Sequence, residues 1–314
     1  MDLDPLDLAW AAGFFDGEGS TLVHSDVSRP GYLRLEVAVP QSGPSGLPEV
    51  LTRFQAALGG LGYFTGPDDK MYFWKSRGRA EAIAAIALLW PELGPVKRDQ
   101  ANDAIKTVLY QYESASYVPR SGRHVKRILD VVSGAPACAD RAAIERAWAA
   151  GFLDGEGCFG LNRAKVRRRG PAWYRLRVSA DQHGVVGEPP HVLARLQRSL
   201  GLGRIDRHSD PDDYKWSAEG RAGMEHVLTI TAPWLGEQKR LDGFAALEKF
   251  NAQIRLKGDQ THCVRGHEYT RVAMKGGRLR RICNRCARIT ARGLRAKRGI
   301  KPRRFKDVTR RYTQ

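Results

Sequence analysis

The chain of 314 residues exceeds one ordinary domain, and its 42% hydrophobic content is enough for substantial cores. A net charge of +18 and a pI near 10.0 point to a polyanionic partner. No apolar run approaches ~18 residues, so no membrane span is expected, and the acidic opening MDLDPLDLAW is unlike the basic start of a secretory signal.

The first predicted element is a helix running into Trp10-Ala11-Ala12-Gly13-Phe14-Phe15-Asp16-Gly17-Glu18-Gly19. Two strands follow, near 20–26 and 32–40. Leu33, Leu35, Val37 and Val39 alternate with Arg34 and Glu36, the period of a half-buried strand. A helix near 47–58 and a hairpin over 61–75, turned by Pro67-Asp68-Asp69, come next. Two helices close the unit, near 79–90 and 98–112; the apolar stretch Ala82–Trp90 reads as buried.

Residues 114–139, rich in Ser, Gly and Pro, read as a linker. The same order then repeats. Asp140 is placed to cap a helix that ends in Trp148-Ala149-Ala150-Gly151-Phe152-Leu153-Asp154-Gly155-Glu156-Gly157, identical to the first block at nine of ten positions. Strands are expected near 158–166 and 173–181, a helix near 190–200, a hairpin over 203–217, and helices near 219–231 and 240–252. Downstream signposts recur too: Gln41 with Gln182, Pro67-Asp68-Asp69 with Pro211-Asp212-Asp213, Trp74 with Trp216, and Lys97-Arg98 with Lys239-Arg240. The reading is therefore an α+β fold of two pseudo-symmetric αββαββα repeats, 1–113 and 140–252, followed by a basic extension, 253–314.

Within each block the small residues Ala9, Gly13, Gly17 and Ala147, Gly151, Gly155 recur every four positions and so share one helix face. Glycine costs roughly 1 kcal/mol per helix-interior position relative to alanine, so the stripe implies a helix–helix contact of unusual closeness. Gly19 and Gly157 terminate the helices, and Glu18 and Glu156 project side by side from their ends. Two such carboxylates repel each other and the negative helix ends, which a divalent cation would relieve. Asp16 and Asp154 lie about 200° round the helix from these acids and are assigned to packing or capping.

The two blocks resemble the LAGLIDADG motif of homing endonucleases in its monomeric two-repeat form, over about residues 6–252. Ala11 and Ala149 stand where the motif begins with Leu, and Glu18 and Glu156 stand where Asp is commoner. The resemblance implies a saddle of two antiparallel sheets around the central helix pair. It implies a site-specific double-strand DNA endonuclease, with Glu18 and Glu156 holding two or three Mg²⁺ ions. Gln41 and Gln182 would position water, and Lys97 and Lys239 would stabilise charge on the phosphate. The implied partner is duplex DNA with a long target site, bound by a monomer in a bacterial or phage-encoded cytoplasmic setting, with intron homing as the biological context. An intron RNA maturase, or a non-cleaving DNA-binding regulator on the same scaffold, are the alternatives.

On the sheets, the polar parity offers Arg34, Glu36, Arg175 and Arg177 for base reading, with His24, Asp26, Asn162 and Lys165 on the first strand of each repeat. Arg167 and Arg168, in the turn of the second repeat, suit phosphate contact.

The charge sits mostly in the extension. Residues 263–314 hold 18 of the 52 Lys/Arg and 2 of the 34 Asp/Glu. Residues 1–137 hold 14 Lys/Arg against 16 Asp/Glu, and 138–262 hold 20 against 16. Arg288, Arg292, Arg295 and Arg298 recur every three or four residues, followed by Lys301, Arg303 and Arg304, as expected of a sequence-independent DNA grip. Cys263-x3-His267-x15-Cys283-x2-Cys286 has the ligand types and spacing of a structural Zn²⁺ site, with His262 as an alternative ligand. The segment is similar to small zinc modules beside nuclease domains in phage-type HNH enzymes. Cys138 and Cys158 have no partner pattern and are expected as small buried residues.

Overall fold

The computed structural model describes residues 3–25, 31–43, 46–113, 140–164, 173–207, 210–258, 261–263, 265–275 and 278–297. The linker, Asp26, Cys138, Lys165, Arg167, Arg168, Arg298, Lys301, Arg303 and Arg304 lie outside these residues, as does the side chain of Arg295.

The first repeat runs α1 (Pro5–Glu18), β1 (Ser20–Ser25), β2 (Leu33–Ser42), α2 (Glu49–Ala57), β3 (Tyr63–Asp68), β4 (Met71–Lys75), α3 (Gly78–Leu89) and α4 (Pro95–Glu113). The second runs α5 (Arg141–Glu156), β5 (Cys158–Ala164), β6 (Trp173–His183), α6 (His191–Leu200), β7 (Arg204–Arg207), β8 (Asp213–Glu219), α7 (Gly220–Thr231) and α8 (Glu237–Gly258). Each repeat forms one antiparallel four-stranded sheet, in the orders β1-β2-β4-β3 and β5-β6-β8-β7. The two repeats share one compact unit, Met1–Ala164 with Trp173–Phe250.

Local signals explain the helix starts. Asp4 accepts a hydrogen bond from Leu6 N (2.8 Å), and Pro5 follows where its missing N–H costs nothing. Asp140 caps α5 in the same way through Ala143 N (3.0 Å). The turn between β3 and β4 falls at Asp69-Lys70, both at positive φ, one residue beyond the expected Pro-Asp-Asp centre.

The core of each repeat lies between its sheet and its helices. Leu35, Val37 and Val39 of β2, and Leu176, Val178 and Ala180 of β6, are buried on the helix-facing side. Four tryptophans anchor it, all fully buried: Trp10, Trp74, Trp148 and Trp216. Each large apolar side chain of this kind contributes roughly 1.5–3 kcal/mol. Gly62 and Gly203, at positive φ, lie against the Trp74 and Trp216 indoles, where a Cβ would sit 2.4 Å from the ring. The indole N–H groups donate to Leu61 O (2.9 Å) and Leu202 O (3.2 Å).

The helix pair α1/α5 joins the repeats through glycine. A Cβ on Gly13 would lie 1.9 Å from Trp148 O, and one on Gly151 would lie 1.8 Å from Trp10 O. The backbones therefore touch directly. Gly19 and Gly157 end the helices, but with extended backbone (φ −72° and −71°) in place of a left-handed cap. Glycine is needed there for space: a Cβ would meet the Phe15 ring at 2.1 Å and Leu153 O at 2.3 Å.

A second unit comprises residues 251–314 with 165–172. Its described part is an antiparallel hairpin, β9 (Arg271–Lys275) and β10 (Arg278–Ile282), followed by α9 (Asn284–Lys297). On α9, Arg285, Arg288 and Arg292 share a face at helical spacing and are exposed. Among the described residues, no helix is long and apolar enough to cross a membrane.

Candidate active site

The close helix contact sets the position of the two glutamates. Glu18 and Glu156 are the last residues of α1 and α5. The Glu18 side chain passes over Gly155, and Glu156 passes over Gly17. A Cβ on those glycines would lie 2.9 and 3.0 Å from the respective Cγ atoms. Each acid is thus seated on the other repeat's helix, and the third small residue of each stripe is the seat.

The amides and lysines converge on the same place. Gln182 Nε2 donates to Glu156 Oε1 (2.7 Å), and Gln41 hydrogen-bonds to Glu18. Both glutamines lie at the ends of the inner strands β2 and β6, on the parity that faces the helices. Lys97 Nζ donates to Gly19 O (2.6 Å) and Lys239 Nζ to Gly157 O, each from the first turn of the helix after the Leu-Gly signpost. All six sequence-expected residues are therefore brought to the ends of the central helices.

The electrostatics match this crowding. Burial pushes the Glu18 carboxyl above its usual range, against the pull of Gln41, Lys239 and Lys97. Glu156 rises to about 7, through burial, then the negative charges of Glu18 and Asp181, opposed by Lys97 and Lys239. Burial lowers the Lys97 ammonium, while Asp16, Glu156 and Glu18 hold it up. Two adjacent carboxylates that resist ionisation side by side, with backbone carbonyls next to them, form an oxygen-rich donor set suited to a hard divalent cation.

Asp16 and Asp154 have packing and capping partners, and the arrangement is reciprocal between repeats. Asp16 accepts from Trp148 Nε1 (2.8 Å) and, with both oxygens, from Gly94 N (2.9 Å) at the start of α4. Asp154 accepts from Trp10 Nε1 (2.8 Å) and Gly236 N (2.9 Å) at the start of α8. Burial raises both carboxyls to about 6, against those N–H donors. Arg53 stacks 3.9 Å over Trp10 and donates to Trp234 O; Arg195 stacks 4.2 Å over Trp148 and donates to Glu92 O. The Trp–Asp bonds and the two Arg-to-carbonyl bonds cross to the other repeat. Sequence reasoning missed the arginines, although the signal Leu-x-Arg-x-Gln-x-x-Leu-Gly is present twice, from Leu51 and from Leu193.

The outer face of the sheets carries the expected polar residues. His24 lies opposite Arg34, Asn162 opposite Arg175, and Gly160 opposite Arg177, all on the side away from the helices. Ion pairs pre-organise this face: Lys75 with Glu36 (3.0 Å), His24 with Glu36 (3.8 Å) and Arg175 with Glu219 (3.9 Å). Arg177 Nε is buried without a partner. Lys75, Lys215 and Arg204 share the face by register and were not singled out from sequence; Lys215 pairs with Asp181 at 2.9 Å. Cys158 is exposed, contrary to the expected burial, because the β5 register places it on this outer face opposite Ser179.

In the second unit, Cys263, His267, Cys283 and Cys286 bring their ligand atoms within 4.8 Å of one another. The separations are 3.7 Å for Cys263 Sγ to Cys286 Sγ, 3.7 Å for Cys263 Sγ to His267 Nδ1 and 3.3 Å for His267 Nδ1 to Cys286 Sγ. Ligands about 2.3 Å from a tetrahedral centre stand about 3.7 Å apart, so the cluster fits Zn²⁺. His262 is outside it, bonded through Nδ1 to Thr261.

These features define a class: a duplicated αββαββα protein whose repeats meet at paired helices ending in acids. No protein-family profile and no curated protein sequence matches the chain. Solved structures do. The I-SmaMI LAGLIDADG homing endonuclease bound to cleaved DNA matches at TM-score 0.54 and 14% identity, over 81% of this chain and 91% of that one. LAGLIDADG homing endonuclease I-GzeII in complex with its DNA target matches at 0.55 and 15%, over 84% and 94%. LAGLIDADG meganuclease I-AabMI bound to uncleaved DNA matches at 0.54 and 17%, over 83% and 93%. I-SmaMI is also known with uncleaved DNA in the presence of calcium ions. The chain has the two-repeat LAGLIDADG homing-endonuclease fold.

Proposed function

We propose that the protein is a site-specific double-strand DNA endonuclease that acts as a monomer, each repeat cutting one strand. The observation that carries this reading is the pair of Glu–Gln–Lys sets, Glu18/Gln41/Lys97 and Glu156/Gln182/Lys239, gathered at the central helix ends. The likeness to DNA-bound neighbours at under 20% identity supports the fold to which this chemistry would belong.

Glu18 and Glu156 would hold Mg²⁺. When bound, the metal supplies an activated water and stabilises the leaving oxygen. The chain's own residues do the rest. Gln41 and Gln182 hydrogen-bond the carboxylates and would position water beside them. Lys97 and Lys239 place positive charge beside both acids, where it favours a bound phosphate. The outer sheet faces, with Arg34, Glu36, Arg175, Arg177, His24 and Asn162, supply groups of the kind that read base edges in the major groove. The second unit, folded around Zn²⁺ held by Cys263, His267, Cys283 and Cys286, would add a phosphate grip through Arg288 and Arg292.

The test is cleavage of a randomised duplex library with Mg²⁺, followed by Glu18→Gln and Glu156→Gln on the selected site. Each substitution is expected to abolish double-strand cleavage while the affinity for the site is kept. Full cutting by both single variants would overturn the assignment.

A further inference from the structure

The pseudo-two-fold axis supplies an internal control: a feature that the fold requires should occur in both repeats. One does not. Where α4, α5 and α6 begin, the repeats flank an open cavity of about 610 Å³. Five arginines line it, Arg98, Arg141, Arg146, Arg195 and Arg198, against one lining carboxylate, Glu145.

Part of this charge is used internally. Arg141 pairs with Glu145 and with Glu92 (2.6 Å), and Arg195 pairs with Glu145 (2.8 Å) and Glu92 (3.0 Å). Asp140 caps α5. The remainder is not neutralised. Among the described residues, Arg98 donates only to the carbonyls of Trp90 and Pro91. Arg146 and Arg198 have no ion pair among the described residues, and Arg146 Nε is buried without a hydrogen-bond partner. Three helix N-termini add to the field: Pro95, Arg141 and His191, the first residues of α4, α5 and α6, all line the cavity. None of these helices has an acid in its first turn.

The equivalent place in the other half differs in charge. There the first turns of α8 and α2 carry Glu237 and Glu49, the usual carboxylate complement to a helix start, while Asp7 is the counterpart of Glu145 and Arg240 that of Arg98. Arg146, His191 and Arg198 correspond to Leu8, Glu49 and Ala56. The scaffold residues, by contrast, are kept on both sides: Arg53 with Arg195, Leu93 with Leu235, Gly94 with Gly236. The fold is therefore built equally well without Arg146 and Arg198; a half-buried Arg146 whose Nε has no hydrogen-bond partner, beside the exposed guanidinium of Arg198, forms a site that an anion would complete.

We propose that this cavity binds a phosphate-bearing anion of nucleotide size, a free nucleotide or inorganic pyrophosphate. The phosphate would face Arg98, Arg146 and Arg198, and the apolar floor at Leu93 and Val192 would take a base or remain empty. The volume is that of a small-molecule pocket. Glu145 and Glu156 are about 16 Å apart along α5 at the rise of an α-helix, so the site lies at the end of the central helices away from the acids. The proposal is independent of the nuclease reading.

The test is calorimetric titration of the full chain with ADP and with pyrophosphate, in metal-free low-salt buffer. The comparison is Arg146→Leu/His191→Glu/Arg198→Ala, which installs the residues that the other half carries. Saturable one-to-one binding is expected, weakened at least tenfold in the triple variant, with the urea midpoint and the affinity for non-specific duplex DNA unchanged. Tighter binding of ADP than pyrophosphate would mark a nucleotide, and equal binding a free phosphate. No binding of either, undiminished binding by the triple variant, or capture of an RNA oligonucleotide alone would each overturn the proposal. Should the triple variant not fold, Arg198→Ala, at an exposed position, must still weaken binding by at least threefold.

Discussion

Gly151→Ala tests the central contact most directly. The new Cβ would lie 1.8 Å from Trp10 O and 2.9 Å from Phe14 N, both backbone atoms of the facing helix. Ordinary carbon contacts are about 3.5 Å, so the helices must part by roughly 1.5 Å at this point. Overpacking costs about 1–3 kcal/mol where side chains can yield, and more where backbone must move. Alanine returns about 1 kcal/mol of helix propensity. A net loss of about 2–4 kcal/mol is expected. Part of it comes from stretching the buried Trp10 Nε1–Asp154 bond, now 2.8 Å. Urea unfolding followed by tryptophan fluorescence measures it, with Gly160→Ala as the control, since nothing lies within 4 Å of a Cβ at Gly160. The control should change stability by no more than about 0.5 kcal/mol. Equal midpoints for the two variants would refute the reasoning.

Other outcomes follow from named groups. Glu145 is held down to about 2: burial would raise it, but hydrogen bonds and charge from Arg195, with Ser199 and Arg141, outweigh that. Its folded value is depressed, so its contribution to stability is present above pH 4.5 and is lost as pH falls towards 2. Glu145→Gln should remove about 2 kcal/mol at pH 7, allowing for partial exposure, and flatten stability between about pH 5 and 2; an unchanged acid limb would contradict this. Metal analysis of the purified chain should find one Zn²⁺, and chelation or Cys286→Ser should lower the far-UV helix signal of the second unit; a metal-free chain with an intact hairpin and α9 would count against the site. Deleting 263–314 should weaken DNA binding and flatten its dependence on salt, and an equal salt slope would exclude a phosphate grip there.

The repeat carried most of the fold into the sequence. Strand alternation at Leu33–Val39, the small-residue stripe and the Asp140 cap are local regularities, and local regularities survive in one dimension. The Glu, Gln and Lys positions were legible because each occurs twice at matched offsets. The Arg53/Arg195 stacking was equally repeated but silent, because a single arginine on a helix does not announce what lies across the interface. Lys75, Lys215 and Arg204 were missed for a related reason: they join the outer face through the pairing register of hairpins that come late in each repeat. Cys158 shows the converse, a small residue taken for core until the register turned it outward.

What the sequence determined alone was the duplication, the acids and the Cys3His cluster of metal-ligand type, since these depend on residue type and spacing. Only the tertiary structure decided that each glutamate rests on the other repeat's glycine, that each Asp takes the other repeat's tryptophan N–H, and that five arginines gather around one cavity on one side of the two-fold. The glutamate and aspartate contacts join segments more than a hundred residues apart, and no spacing along one chain encodes which helix will face which.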